Sequence, residues 1–109
     1  MKVDNYGKAN RRIKKWSECK HQINHKIVRS YFICVENEGF ATIESMKKIC
    51  GNIKDESLYV KNFNNNYSNM KTDAAHSHGK VFEDDGYRVW IWDVVEPTLL
   101  KYKNKFLIN

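Results

Sequence analysis

Between Asn10 and Val28 the apolar residues Ile13, Trp16, Cys19, Ile23 and Ile27 recur at intervals of three, three, four and four. That is the period of one helix face, and it predicts a single helix from an Asn10 N-cap to about Val28. At about 100° per residue, Arg11, Lys14, Glu18, His21, Gln22 and His25 fall on the opposite, wet face.

The pattern then changes. In "RSYFICVE", residues 29–36, Tyr31, Ile33 and Val35 alternate with Phe32 and Cys34, so both faces are apolar, as in a central strand buried on both sides. After "ENEG", Thr42 is a suitable N-cap for a helix to Cys50, with Ile43, Met46, Ile49 and Cys50 as its buried stripe and Gly51-Asn52 as its stop. "SLYVKNF", 57–63, has strand composition, and "NNNYSN", 64–69, reads as a polar loop. "KVFE" and "YRVWIWDVV" flank "DDG", an Asp-Gly signal for a β-hairpin over residues 80–95. Pro97 ends that strand, and "TLLKYKNKFLI" is either a closing helix from Thr98, the preferred reading, or an edge strand.

These elements predict an α+β fold: one small domain with helices packed on a mainly antiparallel sheet. The length of 109 residues leaves no room for a second domain, since one core serves roughly 100–200 residues. A hydrophobic share of 41% excludes the disordered class despite 29% charged residues. Residues 1–9, with few apolar side chains, are expected to form a flexible N-terminal arm, leaving 10–109 as the folded domain. "MKVDNYGKANRRIKKW" has no apolar core of a secretory signal, and the longest apolar run, "YFICV", is far too short to span a membrane. A cytoplasmic location is therefore expected. Cys19, Cys34 and Cys50 are odd in number and widely spaced, which points to buried free thiols and away from disulfides or a zinc ribbon.

Charge sharpens the functional picture. Residues 1–29 carry nine Lys and Arg against Asp4 and Glu18, whereas residues 30–109 carry ten against eleven acids. The first quarter of the chain therefore carries +7 and the remainder −1, which together make the net +6. Such asymmetry suggests an anionic partner, nucleic acid or a nucleoprotein complex, with Arg11, Arg12, Lys14, Lys15, Lys20, Lys26 and Arg29 as candidate phosphate contacts. In "YRVWIWDVV" Arg88, Trp90 and Trp92 would share one strand face, which is hardware for stacking single-stranded bases. With both faces apolar, however, the tryptophans are expected in the core under a helix. The acids Glu83, Asp84 and Asp85 place negative charge on the hairpin tip, a candidate protein-binding element opposed in sign to the first helix.

Two enzymatic alternatives use the histidines. His76 and His78 have H-x-H spacing with Glu83 five residues on, which on a strand could form a two-histidine, one-carboxylate metal site; the flanking "TDAA" and Gly79 favour a loop. His21 and His25, at i and i+4, are a weaker metal pair. A small ribonuclease-type toxin would need a proton-transfer residue among cations, and His76, His78, Lys80, Arg88 and Tyr102 qualify by type. No cofactor signature is present and none is expected. The leading expectation is a small, basic, non-enzymatic binding protein, in the setting of a phage or mobile-element regulator or inhibitor of host machinery. A purely protein-binding module is the remaining alternative.

Overall fold

The expected Asn10–Val28 helix is broken in two. In the computed structural model, which describes residues 6–108, a 3-10 turn over Lys8–Arg11 leads into α1, Ile13–Glu18, and the chain then bends before α2, Ile23–Glu38. Gln22, in an extended conformation, separates α1 from α2. No glycine or proline marks the break; it is closed by His25, whose Nδ1–H donates at 2.8 Å to the Trp16 carbonyl, which otherwise accepts only a longer bond of 3.3 Å from Cys19 N–H. Ile23 consequently leaves the stripe and is 42% exposed, while Ile13 and Ile27 are fully buried.

α2 also replaces the expected strand 29–36. Its residues are apolar on every side because α2 is the centre of the fold: Ile27, Val28, Tyr31, Phe32 and Cys34 are all buried. A helix wrapped by neighbours needs no polar face, so its apolar run looks like that of a two-sided strand. α2 ends at Gly39, whose left-handed φ of 86° lets its N–H reach the Val35 carbonyl.

β1, Ala41–Thr42, runs directly into α3, Ile43–Cys50, where Thr42 caps as expected: its hydroxyl accepts from Ser45 N–H, and Ser45 returns a bond from Thr42 N–H. The expected strand 57–63 is irregular chain. Leu58 and Val60 are buried, but Val60 N–H goes to the Cys50 carbonyl, and the Tyr59 carbonyl accepts from Lys26 Nζ. The expected loop 64–69 is instead α4, Phe63–Asn69. Phe63 and Tyr67, one turn apart, are buried and stacked at 5.5 Å, which outweighs the poor helix propensity of the asparagines.

The hairpin is present as β2, Phe82–Asp84, and β3, Arg88–Ile91, joined through Asp85-Gly86. The sheet is antiparallel in the order β1-β3-β2, with Thr42 opposite Arg88 and Glu83 opposite Trp90. The C-terminal segment is helical, as α5, Glu96–Lys101, and α6, Lys103–Leu107. The core joins one face of the sheet to the helices through Phe82 against Tyr31 and Tyr67, and continues through Phe32 and Phe106. The α+β architecture is as expected.

Of the expected flexible arm, residues 1–5 lie outside the described residues. Of the remainder Tyr6 is exposed, but Lys8 and Ala9 are buried, Gly7 N–H donates to Asp73, and Lys8 Nζ donates to the Ala74 carbonyl. Among the described residues, no helix is long and apolar enough to cross a membrane. All three cysteines are free, Cys34 and Cys50 buried and Cys19 partly exposed.

Candidate nucleic-acid interface

Strand alternation sends Val89 and Ile91 into the core and turns Arg88 and Trp90 outward. The expectation that the tryptophans lie in the core is therefore corrected for Trp90, which is 43% exposed, whereas Trp92 is half-buried and packs partly against the core. The reason is that Tyr31 of α2 and Tyr67 of α4 both reach the sheet from the Phe82 side, an arrangement an antiparallel sheet tolerates. Both faces of the strand are apolar in sequence, but only one is covered.

On the uncovered face aromatic rings alternate with cations. The Arg88 guanidinium lies 4.2 Å from the centre of the Phe40 ring, and Lys80 Nζ lies 4.7 Å from that of Trp92. Tyr6 meets Trp92 edge-on with ring centres 5.4 Å apart. Trp90 sits between these two groups, opposite Glu83, whose carboxylate accepts from Lys80 at 3.0 Å. The row thus runs Phe40, Arg88, Trp90, Glu83, Lys80, Trp92, Tyr6. Arg88, Trp90 and Trp92 share a face in the alternation of the sequence, whereas Phe40, just before β1, and Tyr6 carry no such signal.

The basic residues divide. Arg11, Arg12, Lys14, Lys15 and Lys20 are exposed on the 3-10 turn, α1 and the bend, a segment that begins beside Tyr6. Glu18, the acid within it, has its carboxylate 3.7 Å from Lys105 Nζ. Arg29 and Lys26 do not belong to this surface. Arg29 is 9% exposed and donates to Ser57 Oγ at 2.9 Å, and Lys26 donates to the Tyr59 carbonyl at 3.2 Å, so both tie the irregular segment 51–62 to α2.

The hairpin acids are each engaged within the chain. Asp84 Oδ2 accepts from Tyr67 Oη at 2.6 Å and pairs with Lys71 Nζ at 2.8 Å. Burial would raise its pKa, but the bonds from Lys71, Tyr67 and Gly86 N–H outweigh that and hold it below the usual carboxylate value. Asp85 is held low because it accepts the Tyr87 and Arg88 N–H groups that shape the turn. Glu83 holds Lys80 over Trp92.

His76 and His78 lie in a loop, as the flanking residues indicated. Glu83 does not join them, and among the described residues no group of three or more His, Cys, Asp or Glu side chains is placed to hold a metal ion. His25 is buried against Phe106 and bound to Trp16, which removes it from any surface pair with His21. His21 and His78 instead line one groove with Arg12, in which Lys80, Arg88 and Tyr102 take no part.

Comparison with known protein families, curated proteins and solved structures finds no match for this chain.

Proposed function

We propose that the protein is a non-enzymatic, cytoplasmic binder of single-stranded nucleic acid, alone or within a nucleoprotein complex, and that the strand lies along the uncovered sheet face. The observation that carries this reading is the exposed Trp90 flanked by Arg88 and by Trp92 with Lys80. Alternate side chains on a strand stand about 7 Å apart, a spacing that suits successive bases of an extended single strand. Rings offer stacking to any base, and cations next to them offer phosphate contacts. The exposed Arg11, Arg12, Lys14, Lys15 and Lys20 would continue the phosphate track past Tyr6. A small regulator or inhibitor from a phage or other mobile element is the setting such a binder would suit.

Titrating oligo(dT) and oligo(U) while following tryptophan fluorescence tests the proposal. Quenching should saturate, weaken steeply with salt, and lose about 5- to 150-fold in affinity in Trp90→Ala. Exchanging Arg11, Arg12, Lys14 and Lys15 for Glu should abolish it. If Trp90→Ala binds like the parent, the sheet face is not the site; if the parent binds neither strand at low salt, the proposal fails.

A further inference from the structure

We propose that the groove between α1, the start of α2 and the 76–79 loop is a binding site for the phosphate group of a nucleotide. It holds about 470 Å³ and is lined by Arg12, Trp16, His21, Asn24, Asn66 and His78, with Gln22 and Ile23 completing the wall. That volume is within the usual range for a small-molecule site.

The lining contains one guanidinium, two imidazoles and three side-chain amides, and no carboxylate. With no carboxylate to offset the Arg12 guanidinium, the lining favours an anion, which meets donors from three separate parts of the chain. Arg12 is fixed at the rim because one Nη1–H donates to the His78 carbonyl at 2.7 Å. A guanidinium has five N–H donors in a planar fork, so one such anchor leaves most of the fork for a phosphate. The Asn24 amide nitrogen is 3.5 Å from His78 Nδ1. This contact brings the Asn24 amide and the His78 imidazole together on the groove wall.

Two features extend the ligand beyond a bare anion. Trp16 and Ile23 give the groove apolar wall, and Ile23 is exposed only because the helix break turns it out of the core. A ligand with a charged group and an adjoining flat, apolar part uses both kinds of lining, which describes a nucleotide better than inorganic phosphate. The α2 N-terminus has no side-chain cap, and its first N–H groups add positive potential to what the side chains supply. The groove shares no lining residue with β1, β2 or β3, and only Arg12 belongs both to it and to the basic track of the proposed function, so a sheet-face variant separates the two sites.

Imidazole resonances, assigned with His21→Gln and His78→Gln, report directly on the groove. At constant ionic strength, adenosine 5′-monophosphate should shift His21 and His78 saturably, inorganic phosphate should do so more weakly, and acetate should not. His76, exposed on the same loop but outside the groove, should stay fixed. Arg12→Gln should weaken nucleotide binding about 10- to 100-fold, the worth of a charge-assisted contact. Because Arg12 also anchors the loop, His21→Ala at an exposed position provides a second variant, expected to weaken binding with an unchanged circular dichroism spectrum. Trp90→Ala should leave the shifts intact, which separates this site from the sheet face. No saturable shift, a parallel shift of His76, or parental affinity in both Arg12→Gln and His21→Ala would overturn the proposal.

Discussion

His25 and Trp16 are nine residues apart in sequence, yet the His25 Nδ1–H donates to the Trp16 carbonyl at 2.8 Å across the bend between α1 and α2. A carbonyl can only accept, so the proton is fixed at Nδ1. Burial lowers the pKa of His25 from 6.5; the bond to Trp16 raises it by less, and Arg29, Lys20 and Lys26 lower it further. The folded protein thus binds the proton less readily than the unfolded chain. Its stability should be at its full value above pH 6.5 and fall as the pH drops below it, toward the lowered folded pKa. In urea unfolding, His25→Phe should flatten that decline. It should also cost about 0.5–1.5 kcal/mol at pH 8, where the Trp16 carbonyl loses its shorter bond and keeps the longer one from Cys19 N–H. An identical pH slope in the two proteins would count against this role.

Tyr67 and Lys71 share one oxygen of Asp84, linking α4 and the turn after it to the hairpin. Burial, then the neighbouring Asp84 carboxylate, pushes the Tyr67 hydroxyl well above its ordinary value, so it remains a donor at any working pH. Tyr67→Phe should destabilise by about 1.5–3 kcal/mol, the worth of a hydrogen bond to a charged group. The depressed Asp84 contributes stability above its unfolded pKa of 3.8 that is lost as the pH falls through the folded value. Chemical denaturation of both proteins at pH 7 and pH 3 should therefore show a smaller gap between them at pH 3.

Gly79 and Gly86 separate close approach from backbone strain. Both have positive φ, 128° and 91°, but a Cβ on Gly79 would sit 2.9 Å from the Ala9 backbone while one on Gly86 would meet open space. Gly86→Ala should cost about 1 kcal/mol, from conformation alone. Gly79→Ala should cost more, about 2–4 kcal/mol, because the 3-10 turn carrying Ala9 must move. Equal melting temperatures for the two variants would refute the packing of that turn on the loop.

The thiols should differ in reactivity. Burial pushes Cys50 up to about 11 and also raises Cys34, whereas Cys19 lies partly exposed at the bend. Only thiolate attacks a disulfide reagent, so Ellman's reagent at pH 8 should label Cys19 in the native protein and reach Cys34 and Cys50 only in denaturant. Cys19→Ser should abolish the native reaction.

The two kinds of basic residue can also be told apart. Arg29→Ala removes a bond to Ser57 and a mostly buried stem, and should lower stability by about 1–3 kcal/mol. Lys14→Ala and Lys15→Ala, at exposed positions, should stay within about 0.5 kcal/mol of the parent. A stable Arg29→Ala would return Arg29 to the surface set.

Local chemistry determined several elements by itself. Thr42 and Ser45 write a capping box within four residues, and Asp85-Gly86 between β-rich runs defines a turn that needs a positive φ at Gly86. In each case the partners are neighbours in sequence, so composition and order suffice. Phe63, Tyr67 and Met70 also carried a helical spacing, hidden beneath asparagines that favour turns. Other features depended on groups far apart in the chain. The bend after α1 is closed by a histidine, the identity of α2 follows from being surrounded, and Arg29 is held by a serine on a distant loop. Which apolar face of β3 stays open depended on where α2 and α4 came to rest, because an apolar strand face carries no mark of whether anything will cover it.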